Sequence, residues 1–125
     1  METSVKRNIL VIDDDADALY ATKKFLNKNG FNVQIAVNGR EAMDYVCQDP
    51  APDLILLDMQ MPEMDGYTFI NELNKMSFRK FIPIIVLSAY SEMERIMLLK
   101  GIRTYLVKPV KPEELLEKIN DVLFG

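Results

Sequence analysis

The amino-acid sequence predicts an α/β fold: a five-stranded parallel sheet in the order 2-1-3-4-5, flanked by five helices. Three observations predict it. Short apolar runs alternate five times with longer segments of helical spacing, a βα repeat that implies right-handed crossovers between parallel strands. The first, third and fourth runs are uninterrupted apolar stretches, the pattern of strands covered on both faces. The second run alternates, and the fifth is short and borders polar residues, so both read as edges, consistent with the order 2-1-3-4-5.

The first strand is Ile9-Leu10-Val11-Ile12. The helix after it, Asp17 to Asn29, sets Leu19, Thr22, Phe25 and Leu26 on one face, and Gly30 is placed to end it. The second strand runs from Val33 to Val37, and a shorter helix follows from Arg40 to Cys47, stopped before Pro50 and Pro52. The third strand, Leu54-Ile55-Leu56-Leu57, leads to a helix from Tyr67 to Met76 after Asp65-Gly66. The fourth, Ile84-Ile85-Val86-Leu87, leads to a helix from Glu92 to Lys100, closed by Gly101. The fifth, Tyr105-Leu106-Val107, precedes a helix from Pro112 to Leu123. That last helix has proline in its first turn, Glu113 and Glu114 near its positive end, and an apolar stripe of Leu115, Leu116, Ile119, Val122 and Leu123.

Composition narrows the chemistry. The 125 residues suggest one domain, without internal repeat, low-complexity stretch or linker. Hydrophobic residues make up 49% of the chain, enough for a core. Histidine is absent, which excludes Ser-His-Asp and Cys-His catalysis, histidine-rich zinc sites and an imidazole switch. The single cysteine, Cys47, cannot form an internal disulfide. A net charge of −4 argues against direct nucleic-acid binding. The polar N-terminus is no signal peptide and no run approaches the ~18 apolar residues of a membrane span. A soluble cytoplasmic protein is expected, with chemistry confined to carboxylates, hydroxyls and lysines.

Open parallel sheets bind ligands beyond the carboxyl ends of their strands. The first strand is followed by Asp13, Asp14 and Asp15, the third by Asp58, the fourth by Ser88-Ala89 and the fifth by Lys108-Pro109. Crowded carboxylates raise one another's pKa values, and a hard divalent cation with oxygen ligands relieves that repulsion. A carboxylate can attack phosphorus, a hydroxyl can hydrogen-bond a phosphoryl oxygen, and an ammonium can neutralise another. The strand ends thus hold every part needed to transfer a phosphoryl group to a carboxylate.

The segments Ile9-Leu10-Val11-Ile12-Asp13-Asp14-Asp15, Asp53 through Asp58-Met59-Gln60-Met61-Pro62 to Gly66, Ile84 to Ala89, and Tyr105-Leu106-Val107-Lys108-Pro109 together resemble the receiver domain of two-component response regulators. The resemblance runs from about Asn8 to Leu123 and implies a single receiver domain over residues 1–125 with the flavodoxin-like fold. It implies Asp58 as phosphoacceptor, and a magnesium site, open also to manganese, made by Asp13, Asp14, Asp58 and the main-chain carbonyl of Gln60. It implies Ser88 and Tyr105 as switch residues, Lys108 as the site lysine and a cis peptide between Lys108 and Pro109. Gln60 and Tyr90 match positions that tune the phosphate's lifetime. The implied partner is a sensor histidine kinase or a histidine phosphotransfer protein. It implies phosphoryl acceptance and autodephosphorylation, without turnover of a small molecule. The family also uses the face of the fourth helix, fifth strand and fifth helix for output or a homodimer.

Blander readings stand beside these. Asp15 reads as the cap or first-turn acid of the first helix, and Asp65-Gly66 as a turn. Cys47 reads as a small buried helix residue. Met59, Met61 and Met64 read as apolar cover on a loop, with no thiol or imidazole to make a soft-metal site. The run Ile96-Met97-Leu98-Leu99 is more apolar than one core face requires, and suits either a partner surface or ordinary surface hydrophobes.

Three rival readings stand against this one. A haloacid-dehalogenase-type phosphatase would use Asp13-x-Asp15, but Asp17 is not the expected Thr or Val, the chain lacks room for a cap domain, and Asp58 would be unexplained. A calcium loop starting at Asp13 fails at Ala18 and Lys24, which stand where glycine and glutamate are required. A pseudo-receiver that signals by binding alone is opposed by the complete set of acids, Ser88 and Lys108. The phosphodonor of the family is a histidine and this chain has none, so the donor belongs to another domain or another protein.

Overall fold

The computed structural model describes residues 6–59, 66–76 and 81–125. Among them run β1 (Asn8–Ile12), α1 (Ala16–Lys28), β2 (Asn32–Ala36), α2 (Gly39–Val46), β3 (Leu54–Asp58), α3 (Gly66–Asn74), β4 (Ile84–Ser88), a 3₁₀ turn (Ser91–Met93), α4 (Glu94–Leu99), β5 (Thr104–Val107) and α5 (Pro112–Phe124). The strands form one sheet in the order β2-β1-β3-β4-β5 with every pairing parallel. This is the flavodoxin-like arrangement expected from the sequence. Residue 12 of β1 pairs with Leu57 of β3, and Asp58 pairs with Leu87 of β4, so the three central strands end at the same edge.

Successive strand residues point to opposite faces, and the core divides accordingly. Leu10, Ile12, Ile55, Leu57 and Val86 pack with Ala42 and Val46 of α2, Phe69, Ile70 and Leu73 of α3, and Met97 of α4. Ile9, Val11, Leu54, Leu56 and Ile85 pack with Leu19 and Leu26 of α1 and Ile119 of α5. Every residue of β3 is buried, as a strand covered on both faces must be.

Local chemistry fixes the element ends. Asp15 caps α1, its carboxylate accepting from the N–H groups of Asp17 and Ala18 at 3.0 and 3.3 Å. Gly30 and Gly101, which close α1 and α4, have φ of +95° and +92°, a left-handed region that side chains disfavour. The Glu114 carboxylate accepts from the Lys111 N–H at 3.2 Å and secures the start of α5.

Two local expectations are corrected. Cys47 is exposed, because α2 ends at Val46 and Cys47 falls just past its last turn. The segment expected as one helix from Glu92 to Lys100 opens as the 3₁₀ turn, and α4 keeps six residues, of which Met97 alone is buried.

Candidate functional site

Four strand ends converge on the C-terminal edge of the sheet. Asp58 is the last residue of β3 and is buried, 5% exposed, because β1 and β4 flank it. Ser88 ends β4 and is 1% exposed. Asp13 and Asp14 follow β1, with Asp13 half-buried and Asp14 exposed. Lys108 follows β5, and its N–H donates to the Ser88 carbonyl at 2.8 Å, which continues the β4–β5 ladder to the site. The peptide from Lys108 to Pro109 is cis.

The side chains meet there. The Lys108 ammonium donates to Asp58 Oδ2. Asp13 Oδ1 accepts the Asp15 N–H at 3.0 Å. Burial pushes the Asp13 carboxyl up to about 6, with the charges of Asp58 and Asp14 adding to the rise and the Asp15 N–H and Lys108 opposing it. Asp13, Asp58, Lys108 and Pro109 line one mouth of a cavity of about 600 Å³ whose floor is apolar, including Val11, Leu56 and Leu115.

Ser88 is tied to the segment that follows it. Its Oγ accepts from the Tyr90 N–H at 3.1 Å, and the Tyr105 hydroxyl donates to the Tyr90 carbonyl. The Tyr90 main chain is therefore bonded to both Ser88 and Tyr105, while its side chain is 55% exposed. No side-chain pattern in a sequence signals such a role. Gln60, expected as a main-chain ligand, lies outside the described residues, as do Met61, Met64 and Asp65.

Comparison with known proteins identifies the family. The sequence profile of the response regulator receiver domain matches residues 9–120. The chain belongs to that family. An uncharacterized 14.6 kDa protein of Leptolyngbya boryana is 35% identical over 121 residues, covering 95% of this receiver and 92% of the relative. Response regulator MprA of Mycolicibacterium vanbaalenii is 38% identical over 117 residues, and there the receiver covers 92% of its own length but 49% of the relative's. The receiver thus spans about half the length of several curated relatives it matches. Chemotaxis protein CheY4 of Vibrio cholerae superposes with a TM-score of 0.87 at 30% identity, over 95% of this chain and 100% of that one. The receiver is accordingly a module of two-component signalling, and no helix among its described residues is long and apolar enough to cross a membrane.

The receiver's donor set fits a hard divalent cation. Asp13, Asp14 and Asp58 offer oxygen alone, and the Asp13 carboxyl, raised first by burial and further by the charges of Asp58 and Asp14, would be relieved by a cation. No group of three Asp, Glu, Cys or His side chains poised to hold an ion occurs among the described residues. Magnesium does not require one, since it typically takes one or two carboxylates and keeps several waters.

Proposed function

We propose that this receiver accepts a phosphoryl group on Asp58 from the phosphohistidine of a sensor kinase or histidine phosphotransfer protein. The observation that carries the reading is the buried Asp58 carboxylate, held by Lys108 at the end of the central strand and within the field of Asp13 and Asp14. A carboxylate oxygen forms the new P–O bond as the donor's P–N bond breaks, and the bonding pair leaves on the imidazole nitrogen. Asp13, Asp14 and Asp58 would hold magnesium, or manganese in its place, which supplies neutralisation of the oxygens that gain charge. Lys108 is positioned to balance another phosphoryl oxygen, and Ser88 Oγ to donate to a third. Gln60 and Tyr90 are assigned to tuning of phosphate lifetime.

The consequence for signalling follows from the Ser88 bonds. Once Ser88 Oγ turns to a phosphoryl oxygen, the Tyr90 amide loses its acceptor, and the Tyr105 hydroxyl on the Tyr90 carbonyl feels the change. The face of α4, β5 and α5 then differs between two states. Ile96, Leu98 and Leu99 are 44%, 63% and 84% exposed on it, which suits an output partner or a second copy. We read the chain as a single domain with its core over residues 8–123, acting in the cytoplasm as a switch without small-molecule turnover. The test is incubation with acetyl phosphate and magnesium, followed by intact mass measurement. The wild type gains one phosphoryl group, and chelation of the metal abolishes the gain. Absence of labelling with magnesium present would favour the pseudo-receiver.

A further inference from the structure

Helix α3 carries a polar stripe that the phosphoryl site does not use. Tyr67, Asn71 and Asn74 recur at helical spacing and share one side of α3. Together they reach both ends of the α4 segment. The Tyr67 hydroxyl donates to Met93 Sδ at 3.2 Å, just before α4. At the other end the Lys100 ammonium donates to Asn71 Oδ1 at 2.9 Å, and Asn74 Nδ2 donates to the Lys100 carbonyl at 3.2 Å. The same ammonium stands 5.7 Å above the Tyr67 ring.

These contacts matter because, among the described residues, α4 has little else to hold it. Six residues are far below the length at which a helix persists in water by itself. Met97 is its one buried residue. Its position therefore depends on Met97 and on anchors at its ends. Its entry is also continuous with the site: Ser88 Oγ accepts from the Tyr90 N–H, and Tyr90 leads through Ser91–Met93 into α4. Whatever draws Ser88 Oγ away from Tyr90 disturbs the chain three residues before the Tyr67–Met93 contact.

We propose that the stripe Tyr67, Asn71 and Asn74 is a clamp that holds α4 in the arrangement described here and sets how far the β4–α4 segment follows a charge placed on Asp58. The effect on labelling rests on the reading of Asp58 given above; the clamp is a property of the unmodified chain. If the clamp favours the unmodified state, loosening it favours phosphorylation, and tightening it opposes phosphorylation by the same linkage.

Hydrogen exchange of the Glu94–Leu99 amides in the unmodified protein tests the clamp, with the β1 and β3 amides as the reference for global opening. Asn71→Ala and Tyr67→Phe each remove one contact, and α4 exchange rises about fivefold relative to the strands. Asn71→Asp gives Lys100 a charged acceptor, and α4 exchange slows. The fraction labelled at fixed acetyl phosphate and magnesium rises in the first two variants and falls in Asn71→Asp. Equal α4 exchange in all proteins overturns the clamp. Altered exchange with an unchanged labelled fraction overturns its link to the site. A wild type that takes no label at all overturns the Asp58 reading instead, and the exchange data still decide the clamp.

Discussion

The Lys108 ammonium is hydrogen-bonded to Asp58 Oδ2, with the aspartate side chain 7% exposed and the lysine side chain 36% exposed. The pair joins the end of the edge strand β5 to the end of the central strand β3. Among the described residues, it supplies the one positive charge beside the acidic side chains of the site.

Lys108→Met leaves the Asp58 carboxylate buried without its cation. Orphaning a fully buried charge costs about 3–5 kcal/mol, and the half-exposed lysine brings this to about 1–2 kcal/mol at pH 7. Urea unfolding measures it, and the double variant Asp58→Asn, Lys108→Met recovers most of the loss. The rate of labelling by acetyl phosphate falls about 10²-fold in the single variant, the scale of one lost donor to a developing charge.

Asp13 makes stability depend on pH in a direction opposite to that of most aspartates. Its folded value of about 6 lies above the ordinary 3.8, so the folded chain holds this proton through a range where the unfolded chain has lost it. The resulting stabilisation is fully present below about pH 4 and is lost as pH rises through about 6. Asp13→Asn removes the penalty and is more stable than the wild type at pH 7 by about 1 kcal/mol, after discounting for solvent screening. In metal-free urea titrations the difference vanishes toward pH 4. The same proton competes with magnesium, so cation affinity weakens as pH falls through about 6.

Gly66 is required by a neighbour and not by its backbone angle. A Cβ there would meet the Met59 thioether, with Met59 Cε at 2.8 Å. Since Met59 is the residue after Asp58 and is flexible, it shifts and does not unfold the chain. Gly66→Ala costs about 1 kcal/mol and slows labelling, and Met59→Ala in the same chain relieves the stability loss. Thermal melts of the wild type, Gly66→Ala and the double variant check the stability effects.

Much of this architecture is legible in the sequence because burial on both faces leaves a plain mark. The unbroken apolar residues of β1, β3 and β4 and the alternating β2 determined the sheet order, and the sheet order carried Asp13, Asp58, Ser88 and Lys108 to one edge. What stayed hidden are contacts made by residues whose types suit solvent equally well. Asn71 and Lys100 are polar types that suit solvent, yet they bond across 29 residues of chain. Tyr90 is bonded to Ser88 and Tyr105 through its amide and carbonyl, which every residue possesses. Glu92 and Met93 suit an α-helix by type, yet the chain enters α4 through a 3₁₀ turn. Cys47 suits the interior by type, while its place one residue past α2 leaves it exposed.

The most direct test is to find which aspartate carries the phosphoryl group. After treatment with acetyl phosphate and magnesium, the acyl phosphate is reduced with borohydride and the chain is digested and mapped by mass spectrometry. The account predicts the modification on Asp58 and its loss in Asp58→Asn. A modification on Asp13, or equal labelling of the Asp58→Asn protein, would contradict it.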